Sequence, residues 1–171
     1  MKRLTLVRHA KSSWAAPATP DRDRVLTERG ERDARMMGRR LVARKARPSL
    51  IITSPATRAL TTAKSIAAAL SYPAEFLQLE EQAYLASPPE LLELIRMQRD
   101  DFADLMIVGH NPGLTDLVNQ LLPDLALDNL PTGGLVAVDI DIDHWAGLLE
   151  SQPRLVYYDY PKNPEVLLIE D

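Results

Sequence analysis

Leu50-Ile51-Ile52-Thr53-Ser54-Pro55-Ala56-Thr57-Arg58 joins a short apolar run to the start of a helical pattern. A run of this kind reads as a strand buried on both faces. Ser54 suits an N-cap and Pro55 the first helical turn. Ala59, Ala63, Ile66, Ala67 and Leu70 then recur at helical spacing as one inner stripe. A buried strand followed at once by an amphipathic helix is the repeating unit of a parallel sheet.

The same rhythm extends in both directions. Leu4-Thr5-Leu6-Val7 reads as a first strand, followed by a Pro-rich, charged loop from Ser12 to Leu26. Thr27 caps the next helix, with Glu28 and Glu31 near its positive end. Ala34, Met37, Leu41 and Val42 give that helix an apolar face, and Pro48 punctuates its end. Downstream, Ala74 to Leu79 reads as a third strand. Ser87-Pro88-Pro89-Glu90 opens a helix to about Met97, and Leu105-Met106-Ile107-Val108 is a fourth strand. Gly109-His110-Asn111-Pro112-Gly113 ends that strand and leads to a short helix, Leu114 to Leu122. Two late strands follow, Leu135 to Ile142 and Leu155 to Tyr158. The pattern predicts α/β architecture: one three-layer α/β/α domain over residues 1–171, with a mainly parallel central sheet. No internal repeat or dividing linker interrupts it.

Composition sets the outer bounds. The chain has 171 residues, 46% hydrophobic and 26% charged, as expected of a globular domain with a real core. Its net charge of −4 argues against a general nucleic-acid coat. The absence of cysteine excludes disulfides, thiolate metal sites and a thiol nucleophile. No apolar run is long enough to cross a membrane, and the N-terminal run is too short for a signal peptide. A cytoplasmic location with no membrane partner is expected.

In open α/β sheets, sites gather beyond the carboxyl ends of the strands. Arg8-His9 follows the first strand, Ser54 and Arg58 follow the second, and His110 follows the fourth. Any one of these has a structural reading as a cap or a solvated charge. Together they predict a crevice lined by cations and hydrogen-bond donors, suited to a phosphoryl group. His9 is the candidate nucleophile. Arg8, Arg58 and His110 are candidates to hold the phosphoryl oxygens. Neighbouring positive charge keeps His9 neutral, and an acceptor that the sequence does not name must fix its tautomer. Ser12 and Ser54 are candidate phosphate donors, with turn and cap roles as their alternatives. No cofactor, metal-ligand pair, glycine-rich phosphate loop or dinucleotide fingerprint is legible.

Leu6-Val7-Arg8-His9-Ala10-Lys11-Ser12 resembles the signature of the histidine phosphatase superfamily, whose fold is phosphoglycerate mutase-like. Ser54-Pro55-Ala56-Thr57-Arg58 resembles its second motif and Val108-Gly109-His110-Asn111-Pro112 its third. Asp23-Arg24-Val25-Leu26-Thr27-Glu28-Arg29-Gly30 and Pro131-Thr132-Gly133-Gly134 are similar to the small SixA-type phosphohistidine phosphatases. The resemblance implies a metal-independent phosphatase that works through a phosphohistidine intermediate on His9. It places the proton donor at Glu81 in Leu79-Glu80-Glu81-Gln82-Ala83-Tyr84, with Glu80 as the neighbouring alternative. Only 44 residues separate His9 from Ser54, so the site should be shallow and open. That favours a phosphorylated protein as substrate over a small phosphorylated metabolite such as a sugar phosphate or nucleotide.

Two other readings touch parts of the sequence. Asp139-Ile140-Asp141 after four apolar residues resembles the nucleophile loop of Mg²⁺-dependent phosphatases. Residue 143 is Asp where that motif requires Thr or Val, and only 28 residues follow it. An edge strand with its acidic face in water accounts for the segment better, with His144 exposed and Trp145 packed as a cover. A non-catalytic phosphate-binding domain would not need the full set of Arg8, His9, Arg58 and His110.

Overall fold

The computed structural model describes residues 1–164. Strand β1 (Lys2–Arg8) is followed by α1 (Glu28–Ala43), β2 (Leu50–Thr53), α2 (Thr57–Ala69) and β3 (Gln78–Leu79). Then come α3 (Pro88–Arg96), β4 (Asp104–Gly109), α4 (Gly113–Leu121), β5 (Leu135–Ile140) and β6 (Arg154–Asp159). The strands form one sheet in the order β3-β2-β4-β1-β5-β6. Strands β1 to β4 run parallel, while β5 and β6 are antiparallel additions.

Strand alternation sorts the core into two layers. Leu4, Leu6, Ile52, Leu105, Ile107, Val136 and Val138 face α3 and α4, which contribute Leu91, Leu94, Ile95, Leu114, Leu117 and Leu121. Val7, Ile51, Met106, Val108 and Leu135 face α1 and α2, which contribute Met37, Leu41, Ala59, Ala63 and Ile66. The α/β/α sandwich follows directly from this period of two. It also creates the crevice. The chain leaves β1 toward α1 on one face and leaves the adjacent β4 toward α4 on the other. A gap therefore opens between the carboxyl ends of two neighbouring strands.

Local chemistry fixes the helix ends. The Thr27 hydroxyl accepts from the Gly30 amide, and Ser87 with Glu90 forms a reciprocal capping box. Helix α1 stops at Ala43, before Pro48, because Lys45 takes a left-handed conformation (φ 58°). Ser54 is not an N-cap: α2 begins at Thr57 behind Ala56, without a side-chain cap. The third strand is only Gln78–Leu79, because Ala74–Phe76 closes into a 3-10 turn. Val42 lies off the buried face and is exposed.

β5 corrects the edge-strand expectation. It lies inside the sheet between β1 and β6, and it ends at Ile140. Asp139 sits opposite Arg3 and accepts from its Nε at 2.8 Å and Nη2 at 3.0 Å. That salt bridge holds the Asp139 carboxyl below the usual carboxylate range. Because β5 runs antiparallel to β1, Asp139 and Asp141 lie at the end of the sheet opposite His9. Trp145 is fully buried and donates its indole N–H to the Phe102 carbonyl at 2.7 Å, while His144 is exposed beside Asp100. Among the described residues, no helix is long and apolar enough to cross a membrane.

Gly113 seats α4 against the segment before α3. A Cβ there would fall 1.8 Å from the Ala86 carbonyl oxygen. Backbone must move to relieve such a clash, so Gly113→Ala should cost at least about 2 kcal/mol. Thermal unfolding should show this as a drop of roughly 4–8 °C. A melt that matches the parent would mean that α4 is not pinned at this contact.

Candidate active site

His9 leaves the carboxyl end of β1, and its amide donates to the Gly109 carbonyl at 3.1 Å. This ties it to the end of β4, one residue from His110. The two imidazoles lie with ring centroids 5.3 Å apart. Arg58 lies in the first turn of α2 and is buried. The Thr62 hydroxyl, one turn further on, accepts from the Ala10 amide at 3.0 Å and donates to the Arg58 carbonyl at 2.8 Å. The loop that follows β1 and helix α2 are thus held together. Arg8, His9, Ser12, Arg58 and His110 line one cavity of about 210 Å³.

Each ring is oriented. His9 Nδ1 lies 2.7 Å from the Ala10 carbonyl oxygen. A carbonyl can only accept, so Nδ1 carries the hydrogen and Nε2 keeps its lone pair. This is the acceptor that the sequence left unnamed. His110 Nε2 lies 2.7 Å from Ser54 Oγ, and that hydroxyl oxygen accepts from the Ala56 amide at 3.2 Å. Ser54 therefore orients the second histidine. Arg8 donates through Nη1 to the Leu130 carbonyl at 2.9 Å.

Burial sets the protonation states. His9 is pushed down to about 4, first by desolvation and then by the charges of Arg58, Arg8 and Arg24. His110 is pushed down to about 3, again chiefly by desolvation. Both imidazoles are neutral at pH 7. The expected influence of positive charge is present but secondary to burial. Burial also lowers the pKa of Arg8.

Glu81 does not join this group. Its carboxylate forms a fork-to-fork pair with Arg22, at 2.7 and 2.8 Å, on the exposed surface. That hydrogen bonding lowers its pKa, so it is ionised and occupied rather than a poised acid. Glu80 accepts instead from Gln78 Nε2 at 2.8 Å. Ser12 lines the cavity, but its hydroxyl accepts from Arg24 Nη1 at 3.0 Å.

Two residues that the sequence reading passed over also line the cavity, Asp21 and Arg24. Asp21 accepts from Arg58, Arg24 and the Tyr84 hydroxyl. Asp21–Asp23 forms a 3-10 turn, and its threefold repeat puts residues 21 and 24 on one side. Nothing in Asp21-Arg22-Asp23-Arg24 reveals that repeat in advance. Among the described residues, no cluster of three His, Asp or Glu side chains is placed to hold a metal ion.

The chain was compared with known proteins. Residues 4–85 match the family model of the histidine phosphatase superfamily (branch 1). An uncharacterized protein of Mycobacterium tuberculosis is 30% identical over 165 residues, covering 91% of this chain and 100% of its own. SixA from Agrobacterium tumefaciens, a phosphohistidine phosphatase by assignment, is 29% identical with a TM-score of 0.78. That match covers 94% of this chain and 98% of the other. The protein histidine phosphatase SixA complexed with tungstate has a TM-score of 0.78 at 19% identity, covering 93% and 97%. A mycobacterial glucosyl-3-phosphoglycerate phosphatase shares the fold at TM-score 0.68 and 15% identity, covering 94% and 100%.

The depressed imidazole pKa values make a direct prediction. NMR titration should find His9 and His110 neutral from pH 8 to about 5, against an ordinary value near 6.5. Below about 6.5 the unfolded chain binds more protons than the folded one. The stabilisation is therefore complete above that pH and is lost toward pH 4. Asp104, pushed up to about 6 by burial, works in the opposite sense. Midpoints near 6.5 for both rings would show that the imidazoles are not desolvated.

Proposed function

The chain belongs to the histidine phosphatase superfamily, close to the SixA phosphatases, and from that premise we propose that it removes the phosphoryl group from phosphohistidine on a protein. The observation that carries this reading is the state of His9. It is a neutral imidazole whose Nδ1–H is tied to a backbone carbonyl, leaving Nε2 as an unprotonated nucleophile beside Arg8 and Arg58.

Nε2 attacks phosphorus, and the bond from phosphorus to the substrate nitrogen breaks. A phosphohistidine protonated on its other ring nitrogen leaves as neutral imidazole, so the step needs no separate proton donor. Arg8, Arg58 and His110 hold the phosphoryl oxygens as charge shifts among them. Water then attacks the phosphorylated His9, the phosphorus–Nε2 bond breaks, and inorganic phosphate leaves. Charge neutralisation by Arg8 and Arg58, with His110 as a hydrogen-bonding partner, makes the reaction independent of a divalent ion. The exposed Glu81–Arg22 pair takes no part in it.

Cavity size favours a displayed phosphoryl group over an enclosed metabolite. About 210 Å³ is below the roughly 300–1,000 Å³ of ordinary small-molecule sites. The carrier therefore lies outside. The second reading, a small-molecule phosphomonoesterase, draws support from the fold shared with the glucosyl-3-phosphoglycerate phosphatase.

A turnover screen in EDTA separates these readings. The kcat/KM for a phosphohistidine protein should exceed that for 3-phosphoglycerate or a phosphoserine peptide by at least about tenfold, or 1.4 kcal/mol in the barrier. A faster sugar phosphate or nucleotide would move the chain to the small-molecule branch. Rapid quench should trap an acid-labile, base-stable phosphoenzyme that His9→Ala abolishes.

Arg8→Ala, Arg58→Ala and His110→Ala should each lower kcat by roughly 10²–10³-fold. Arg58→Lys should also lose most activity, because a point charge does not replace the planar fork. Glu81→Gln should fall well short of the roughly 10²-fold loss expected of a general acid. A loss of that size on phosphohistidine would restore Glu81 to the mechanism.

A further inference from the structure

The chemistry above leaves the Asp21 carboxylate without a role, although it occupies a cation that the reaction needs. Arg58 is only 2% exposed, and both of its terminal nitrogens are turned onto this one residue. Nη1 donates to the Asp21 carbonyl oxygen at 2.6 Å, and Nη2 donates to Oδ2 at 3.0 Å. Arg24 Nε donates to Oδ1 at 3.2 Å, and the Tyr84 hydroxyl donates to Oδ2. The Tyr84 hydrogen bond, followed by Arg58, holds the Asp21 carboxyl down to about 2, so it is an anion at every working pH.

A phosphoryl group that engages the Arg58 fork asks for the same N–H groups. It also brings its own negative charge up to the carboxylate, and like charges at such range repel strongly. The two partners of the Arg58–Asp21 contact differ in how firmly they are held. Arg58 projects from a packed helix. Asp21 opens a single 3-10 turn in the loop between Ser12 and Leu26, and 42% of its side chain is exposed. The carboxylate is therefore the partner that gives way.

Displacing it draws on binding energy, and the mouth of the cavity offers a source. Trp14 is 72% exposed, Leu85 is 54% exposed, and both line the cavity. The Arg24 guanidinium carbon lies 3.6 Å from the Trp14 ring centroid. A protein that carries the phosphoryl group can cover these apolar side chains. A free phosphate ion or a small ester cannot.

We propose that Asp21 is a specificity-determining residue, a resident carboxylate that competes with the phosphoryl group for Arg58. It keeps free phosphate and small phosphate esters weakly bound and yields to a phosphoryl group whose protein carrier makes contacts at the mouth. The last clause rests on the phosphohistidine-protein reading above; the competition for Arg58 does not.

Asp21→Asn tests it, because the substitution keeps the shape and an acceptor oxygen but removes the charge. Inorganic phosphate and orthovanadate, titrated by calorimetry, should bind at least about tenfold tighter, the scale of one removed like charge. For p-nitrophenyl phosphate the gain should appear in KM rather than kcat. The kcat/KM advantage of a phosphohistidine protein over p-nitrophenyl phosphate should shrink. Tyr84→Phe, which loosens Asp21 without touching its charge, should shift both oxyanion affinities the same way by less.

Unchanged or weaker phosphate and vanadate binding in Asp21→Asn would overturn the proposal. Paired with an equal kcat loss on every substrate, that result would leave Asp21 as a residue that only aims Arg58. The oxyanion titrations need no turnover. They therefore decide the role of Asp21 even if phosphohistidine proves not to be the substrate.

Discussion

Six consecutive residue pairs, from Arg3 against Asp104 to Arg8 against Gly109, bind β1 to β4 in parallel. A slip of one residue would turn Leu4 and Leu6 away from α3 and α4 and expose one apolar set on each strand. A slip of two would keep the faces but carry His9 about 6–7 Å along the strand relative to His110. Only the observed register both buries the two apolar sets and places the histidines side by side. The connections from β1 and β4 then depart to opposite faces, which opens the crevice above them.

Within that crevice the polar groups are supported mostly by backbone. Arg8 leans on the Leu130 carbonyl, His9 on the Ala10 carbonyl, and Arg58 on the Asp21 carbonyl. A carbonyl oxygen orients a group without neutralising it, but Arg58 in addition meets the Asp21 carboxylate. Asp21 is the carboxylate among the lining residues, and it stands at the exposed end of the Arg58 contact. Burial completes the arrangement by keeping both imidazoles neutral.

The rest of the chain secures the loops that carry these groups. Lys11 accepts at its carbonyl from the Thr27 amide, and Gly30 lies so close that a Cβ would fall 2.1 Å from that same oxygen. The start of α1 is thereby clamped to the segment after His9. At the far end of α1, Arg40 and the capping Arg44 pair with the fully buried Asp159 at 3.1 and 2.7 Å, joining the helix to the end of β6. These contacts act on position rather than chemistry.

The sequence by itself determined what depends on near neighbours and periodicity. Apolar runs marked β1, β2 and β4, and the Thr27 and Ser87 caps marked helix starts, because such signals act within a few residues. The placement of Arg8, His9 and His110 at strand ends, and of Arg58 at the start of the helix after β2, was legible for the same reason. Tertiary structure alone decided the rest. Ser54 looked like a cap but orients His110, 56 residues away. Glu81 looked like an acid but is held by Arg22, 59 residues away. β5 looked like an edge but gained β6 as a neighbour, and Asp21 reaches Arg58 only because the loop folds back over α2. A side chain's partner across such distances is set by how packed layers and loops close on one another. No local pattern of charge or hydropathy encodes that closure.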